Sequence, residues 1–144
     1  GYVHAPSLGQ AATAAVLRSG HLAYRGEEHS PFAVDLSSRR VRLALKLLDG
    51  VRELQARHVI VGDTRGLGLM VALELIRPGE GDGRVPNPDA VKVVLAEALA
   101  RRLMLLSASP YGNVVRIIPP LVTTAEEVDT ALGILDEALA VASA

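Results

Sequence analysis

The sequence predicts an α+β fold in two layers, a small and mostly antiparallel sheet with helices on one of its faces. Three observations carry that reading. Beyond residue 37, apolar residues recur at helical spacing in three long segments, and the stretches between them are short and rich in valine, isoleucine and leucine. Capping signals punctuate the helical segments, and a loop dense in glycine, proline and charge separates the first pair of strands from the helix that follows. At 144 residues, 49% of them hydrophobic, the chain is long enough to bury one real core.

The chain divides into 1–37, an N-terminal helix with an irregular segment, and 38–144, the α+β domain. Ser7-Leu8-Gly9-Gln10 reads as a capping box that opens an Ala-rich helix over 7–18, with Gly20 placed to end it. The polar stretch 21–35 follows without regular pattern. A second helix is expected over 38–58, its apolar side made by Val41, Ala44, Leu45, Leu48, Val51 and Leu54, with Gly50 a slight weakness. The segments 59–61 and 66–76 read as strands, and 78–88 as an exposed loop. Asn87 and Pro88 look like the cap and first residue of a helix reaching 101 or 102, which shows Val91, Val94, Leu95, Ala98 and Leu99 on one side. Arg102 and Leu103 close it without a glycine, so water or a side chain is expected to cap its last carbonyls. Short strands are expected at 103–106 and 114–118. Thr124-Ala125-Glu126-Glu127 is a second capping box, and Val128, Leu132, Leu135 and Leu139 form the stripe of the last helix.

Composition narrows the function classes. Fifteen basic residues against sixteen acidic ones leave a net charge of −1, so bulk electrostatics favour neither nucleic acid nor a membrane surface. Three tyrosines, one phenylalanine and no tryptophan argue against base stacking. There are no cysteines, which excludes disulfides, thiolate metal sites and Cys nucleophiles and fits a cytoplasmic setting. No apolar run reaches membrane-spanning length, and no signal pattern opens the chain. Starting at Gly1 rather than Met, the chain reads as a fragment, a processed product or a shortened form.

Few residues point to chemistry. His4, His21, His29 and His58 have no pair at metal-ligand spacing. Gly66-Leu67-Gly68 lacks the third glycine of a dinucleotide turn, since position 71 is Val71, and is read as a tight start of a strand. Arg65 reads as structural. The informative residue is Arg116, set in a short apolar strand that stops at Pro119-Pro120. Val114, Arg116 and Ile118 share one face of that strand and Val115 and Ile117 the other, which surrounds the guanidinium with side chains that exclude water. Always charged and carrying a planar fork of donors, it calls for a carboxylate or phosphate, supplied by a ligand or by an internal Asp or Glu. Ser107, Ser109 and Tyr111 lie close by and read as a turn between strands.

Two stretches make the chain recognisable: Ser107-Ala108-Ser109-Pro110-Tyr111-Gly112-Asn113-Val114-Val115-Arg116-Ile117-Ile118-Pro119-Pro120-Leu121, and Val61-Gly62-Asp63-Thr64-Arg65-Gly66-Leu67-Gly68-Leu69-Met70-Val71-Ala72-Leu73-Glu74-Leu75. In order and separation they resemble the C-terminal part of the class III (4-aminobutyrate and ornithine type) pyridoxal-phosphate aminotransferases. The likeness is close from about Leu54 onward and weaker over the first thirty-odd residues. It implies the small C-terminal domain of a fold-type I pyridoxal-phosphate enzyme, preceded by a helical remnant of the connection to the large domain. It also implies that Arg116 binds the carboxylate of an amino or oxo acid substrate.

The resemblance places the Schiff-base lysine and the acid that meets the cofactor's ring nitrogen in the large domain, upstream of everything present. The only lysines are Lys46 and Lys92, both in helices and outside the family's lysine context, so no catalytic residue is assigned. Val3 stands where the family's threonine contacts the cofactor phosphate of a neighbouring subunit, and a valine cannot donate that bond. The expectation is a truncated or degenerate aminotransferase segment that binds no pyridoxal phosphate by itself, is silent alone, and forms a homo-oligomer or awaits a large domain. The alternative is a non-catalytic domain that binds a small carboxylate or a protein partner. No metal, nucleic acid or membrane is expected as a partner.

Overall fold

The structure, a computed structural model, describes residues 39–144. The expected helix over 7–18, the irregular stretch and the boundary at 37 and 38 lie outside the described residues. Seven elements follow in order: α1 (Arg39–Arg57), β1 (Val61–Leu67), β2 (Met70–Leu75), α2 (Pro88–Ala100), β3 (Leu106–Ala108), β4 (Val114–Ile117) and α3 (Ala125–Ala142). The strands form one sheet in the order β1-β2-β4-β3, antiparallel at every pairing, and the three helices cover one face of it. The two-layer α+β expectation holds.

Alternation decides which face is covered. Val71, Leu73 and Leu75 of β2 and Val115 and Ile117 of β4 point to the helices, where they meet Leu47, Val51 and Leu54 of α1, Val91 and Val94 of α2, and Leu135 and Leu139 of α3. Each such side chain contributes roughly 1.5 to 3 kcal/mol by leaving water. α1 and α3 lie so close that a Cβ on Gly50 would overlap the Leu132 side chain. The glycine read as a weakness is therefore the contact that lets the two helices meet. Lys46 pairs with Asp129 at 2.8 Å along the same seam, and Asp136 receives Arg57 at 2.8 Å and His58 at 2.6 Å.

Several boundaries differ from the sequence expectation. The first strand is not 59–61 but Val61–Leu67, and the second begins at Met70 rather than at 66. Leu67 pairs with Met70, so Gly68 and Leu69 form a two-residue hairpin turn, with Gly68 at a φ of +58° that favours glycine. Gly66 lies inside β1. Residues 62–65 carry little apolar signal, and cross-strand pairing rather than propensity makes them a strand. The third strand is Leu106–Ala108 rather than 103–106.

The helical stripes are also rotated slightly. Leu43 and Leu47 are buried in α1 while Val41 and Leu45 are only partly covered, and Leu99 of α2 is 60% exposed. At the end of α2 a side chain does meet one of the last carbonyls, Arg101 Nη1 donating to Glu97 O at 3.0 Å, and the backbone meets two more. Arg102 takes the left-handed conformation at φ +68°, so that Leu103 N donates to Ala98 O at 2.8 Å and Arg102 N to Leu99 O at 2.9 Å. That is the bonding of a glycine-type helix stop, made by an arginine. At the start of α3 the capping box forms in full, Glu127 N to Thr124 Oγ1 at 3.1 Å and Thr124 N to Glu127 Oε2 at 2.8 Å.

Candidate functional site

The face of the sheet turned away from the helices carries the polar side chains. Register places Asp63, Arg65 and Leu67 of β1, Met70, Ala72 and Glu74 of β2, Val114 and Arg116 of β4, and Leu106 and Ala108 of β3 together on it. Ala72 sits in the middle, opposite Arg65 on one side and Arg116 on the other. Two arginines thus flank one small residue.

They are treated differently. Arg65 Nη1 donates to Asp63 Oδ2 at 2.7 Å and to Glu74 Oε2 at 3.0 Å. Burial works to lower its pKa, but the hydrogen bonds and charges of Asp63 and Glu74 outweigh this and hold it above the ordinary arginine value. Arg116 is half-buried beside Leu106 and Ala72, and its Nε is shut off from water with no hydrogen-bond partner. Among the described residues no acid forms an ion pair with it. Glu74 stands two residues along β2 from Arg116's cross-strand neighbour, yet it is spent on Arg65. A buried donor left without an acceptor costs about 1 to 3 kcal/mol.

The expected setting of Arg116 needs one correction. Val114 is buried, but Ile118 is 53% exposed, so only the Nε end of the guanidinium is sealed from water and the rest faces the open side. Ser107 pairs with Val115 and so lies on the opposite face from Arg116. Ser109 and Tyr111 belong to a turn closed by Gly112 N to Ser109 O at 3.1 Å, with Tyr111 71% exposed at its tip. Lys46 and Lys92 are held by Asp129 and Asp89, at 2.8 and 3.0 Å, on the helix surfaces away from the open face. Of the four histidines only His58 is among the described residues, and it bonds Asp136.

Two features escaped sequence reasoning. Glu74 and Asp63 converge on Arg65 because of the hairpin register; the alternation of Asp63 and Arg65 was visible, but the arrival of Glu74 was not. Asn113, read only as part of a motif, is 2% exposed and its amide bonds both Ser109 and Leu75.

The class-III aminotransferase family matches residues 33–139. The chain belongs to the class-III aminotransferases. It is 40% identical over 105 residues to the 5-aminovalerate aminotransferase DavT of Pseudomonas putida, covering 73% of this chain and 24% of that protein. To the 4-aminobutyrate aminotransferase GabT of Escherichia coli it is 37% identical over 95 residues, covering 66% and 22%. A solved phospholyase from Arthrobacter, in complex with phosphoethanolamine, matches with a TM-score of 0.64 at 29% identity, covering 69% of this chain and 23% of that one. The chain thus spans about a quarter of the length of its relatives. A lyase among them means that the shared fold does not fix the reaction. Family membership implies pyridoxal phosphate in the intact enzyme, and that group needs a lysine for its Schiff base. Lys46 and Lys92 pair with Asp129 and Asp89 on outer helix surfaces, away from the open face.

Proposed function

We propose that this chain is the C-terminal, carboxylate-holding part of a pyridoxal-phosphate-dependent transaminase, which moves an amino group between an amino acid or ω-amino acid and a 2-oxo acid. The observation that supports the proposal is the half-buried Arg116, which has no ion-pair partner among the described residues and turns the outer part of its guanidinium to the open face, while the neighbouring Arg65 has two acids. Arg116 would receive the substrate carboxylate through its planar fork, fixing one end of the substrate while residues outside this chain act on the other. The cofactor supplies the electron sink for that chemistry when bound by the large domain. By itself the chain is silent in this reading, because both of its lysines lie on outer helix surfaces away from the open face that carries Arg116. The large domain and a second copy of the protein are its partners in this reading, and the cytoplasm its compartment.

The test joins this chain to a large domain of the family and compares Arg116→Lys with the parent. Lysine keeps the charge and loses the fork, so kcat/KM for a carboxylate substrate should fall by about 2 to 4 kcal/mol, roughly thirty- to a thousandfold. Turnover of an amine without a carboxylate should hardly change. Equal losses on both substrates would refute the proposal.

A further inference from the structure

Arg116 sits in a strand whose apolar pattern specifies its register poorly. A slip of one residue would turn Arg116 into the core, which the cost of burying its charge forbids. A slip of two keeps every side chain on its face and moves Arg116 away from Ala72, and the apolar residues Val114, Val115, Ile117 and Ile118 do not oppose it. The strand has four residues, and something must hold its start. Asn113, immediately before it, is 2% exposed and makes three hydrogen bonds. Its Nδ2 donates to Leu75 O at 3.3 Å, its carbonyl accepts from Leu75 N at 2.7 Å, and its Oδ1 accepts from Ser109 Oγ at 2.8 Å. The Leu75 carbonyl also accepts from Asn87 N at 3.0 Å, and Asn87 in turn caps α2 through Ala90 N at 3.1 Å. The Leu75 carbonyl thus joins the end of β2 to the start of α2, and the buried Asn113 amide ties that junction to the turn before β4. That turn is under tension, with Ser109 at φ +77°, a conformation non-glycine residues adopt rarely.

We propose that Asn113 is a positioning residue for Arg116: it pins β4 in the register that puts the guanidinium on the open face beside Ala72. A buried amide bonded at both its oxygen and its nitrogen favours one arrangement, because a slip would break those bonds inside the core. The inference rests on the reading that Arg116 receives a carboxylate.

The test uses the full chain labelled with 15N. Arginine Nε–H resonances report binding of glutarate, and amide exchange reports the strands. For Asn113→Ala, glutarate affinity at Arg116 should fall roughly ten- to a hundredfold, the range expected when a binding group is displaced by about an ångström. Exchange should accelerate at residues 114–117 more than at 71–73. A chain that loses stability evenly and binds glutarate as before would overturn the proposal. If Asn113→Ala does not fold, Ser109→Ala keeps the Leu75 bonds and removes one tether; it should shift both readouts in the same direction by a smaller amount, and no shift overturns the proposal. If the parent itself binds no glutarate, the carboxylate reading fails and the exchange pattern alone decides: selective loosening of β4 sustains the pin, and uniform loosening ends it.

Discussion

Arg65 and Arg116 lie on the same face of the same sheet, each directly across from Ala72, and they have opposite fates. Arg65 is closed into a local network by Asp63 and Glu74, whereas Arg116 has apolar neighbours and an Nε with no partner. Residue type explains none of this. What separates them is the register of the β1–β2 hairpin, which sets Asp63 opposite Glu74 and brings both acids to the Arg65 side. An arginine satisfied within its own strands stabilises a fold modestly; one left open is available to a ligand.

Substitution at the shared neighbour breaks the comparison most strongly. Ala72→Glu would place a carboxylate between the two guanidiniums and give Arg116 the internal partner that Arg65 already has. Glutarate binding at Arg116 should then drop at least roughly tenfold, about 1.4 kcal/mol, with the fold intact by circular dichroism. Unchanged binding would mean that Arg116 is not the anion receptor.

Removing each arginine in turn sharpens the comparison. Arg65→Ala should cost about 0.5 to 1 kcal/mol in chemical denaturation, since the pairs are part-exposed and screened. Arg116→Ala should lower stability by no more than about 0.5 kcal/mol, because no internal partner is orphaned, and relief of the unpartnered Nε, about 1 to 3 kcal/mol, offsets the packing that is lost. A loss of about 3 to 5 kcal/mol on Arg116→Ala would instead reveal a buried acid paired with it.

The smallest effect is a control on the far side of the sheet. His58 lowers the pKa of Asp136 by hydrogen bonding, burial opposes this, and the charges of Arg57 and His58 add to the lowering. A depressed carboxylate stabilises the folded state above its unfolded value near 3.8 and loses that contribution as pH falls through the lower folded value. Asp136→Asn should therefore reduce stability at neutral pH by under about 1 kcal/mol, discounted for its partial exposure, with the difference shrinking below about pH 4. Glutarate binding by Arg116 at neutral pH should not respond. A change there would mean that the α1–α3 seam and the open face are coupled.

The two ends of the fold differed in how far the sequence reached. Helices and their caps were legible because their signals are local: the Thr124 box and the Asn87–Pro88 start involve residues three positions apart, and the structure contains both. The two-layer arrangement followed from the order of periodic segments, and the family resemblance from two motifs in register. The strand limits at 61–67 were not legible, because Gly62, Asp63, Thr64 and Arg65 have little strand propensity and join the sheet through pairing with β2.

Arg116 stood out in the sequence as an ion in an apolar strand, and alternation set it on the face opposite Val115 and Ile117. Its lack of a partner was decided in three dimensions. Whether Glu74 meets Arg65 or Arg116 depends on which strand lies on which side of β2 and in what register, and those are long-range pairings that no local pattern encodes. The same holds for Gly50 and Asn113. One looked like a helix defect until α3 was packed against it, and the other like a turn residue until the Leu75 carbonyl arrived from 38 positions away. Sequence determined which residues had something to satisfy, and the tertiary structure decided which of them were satisfied.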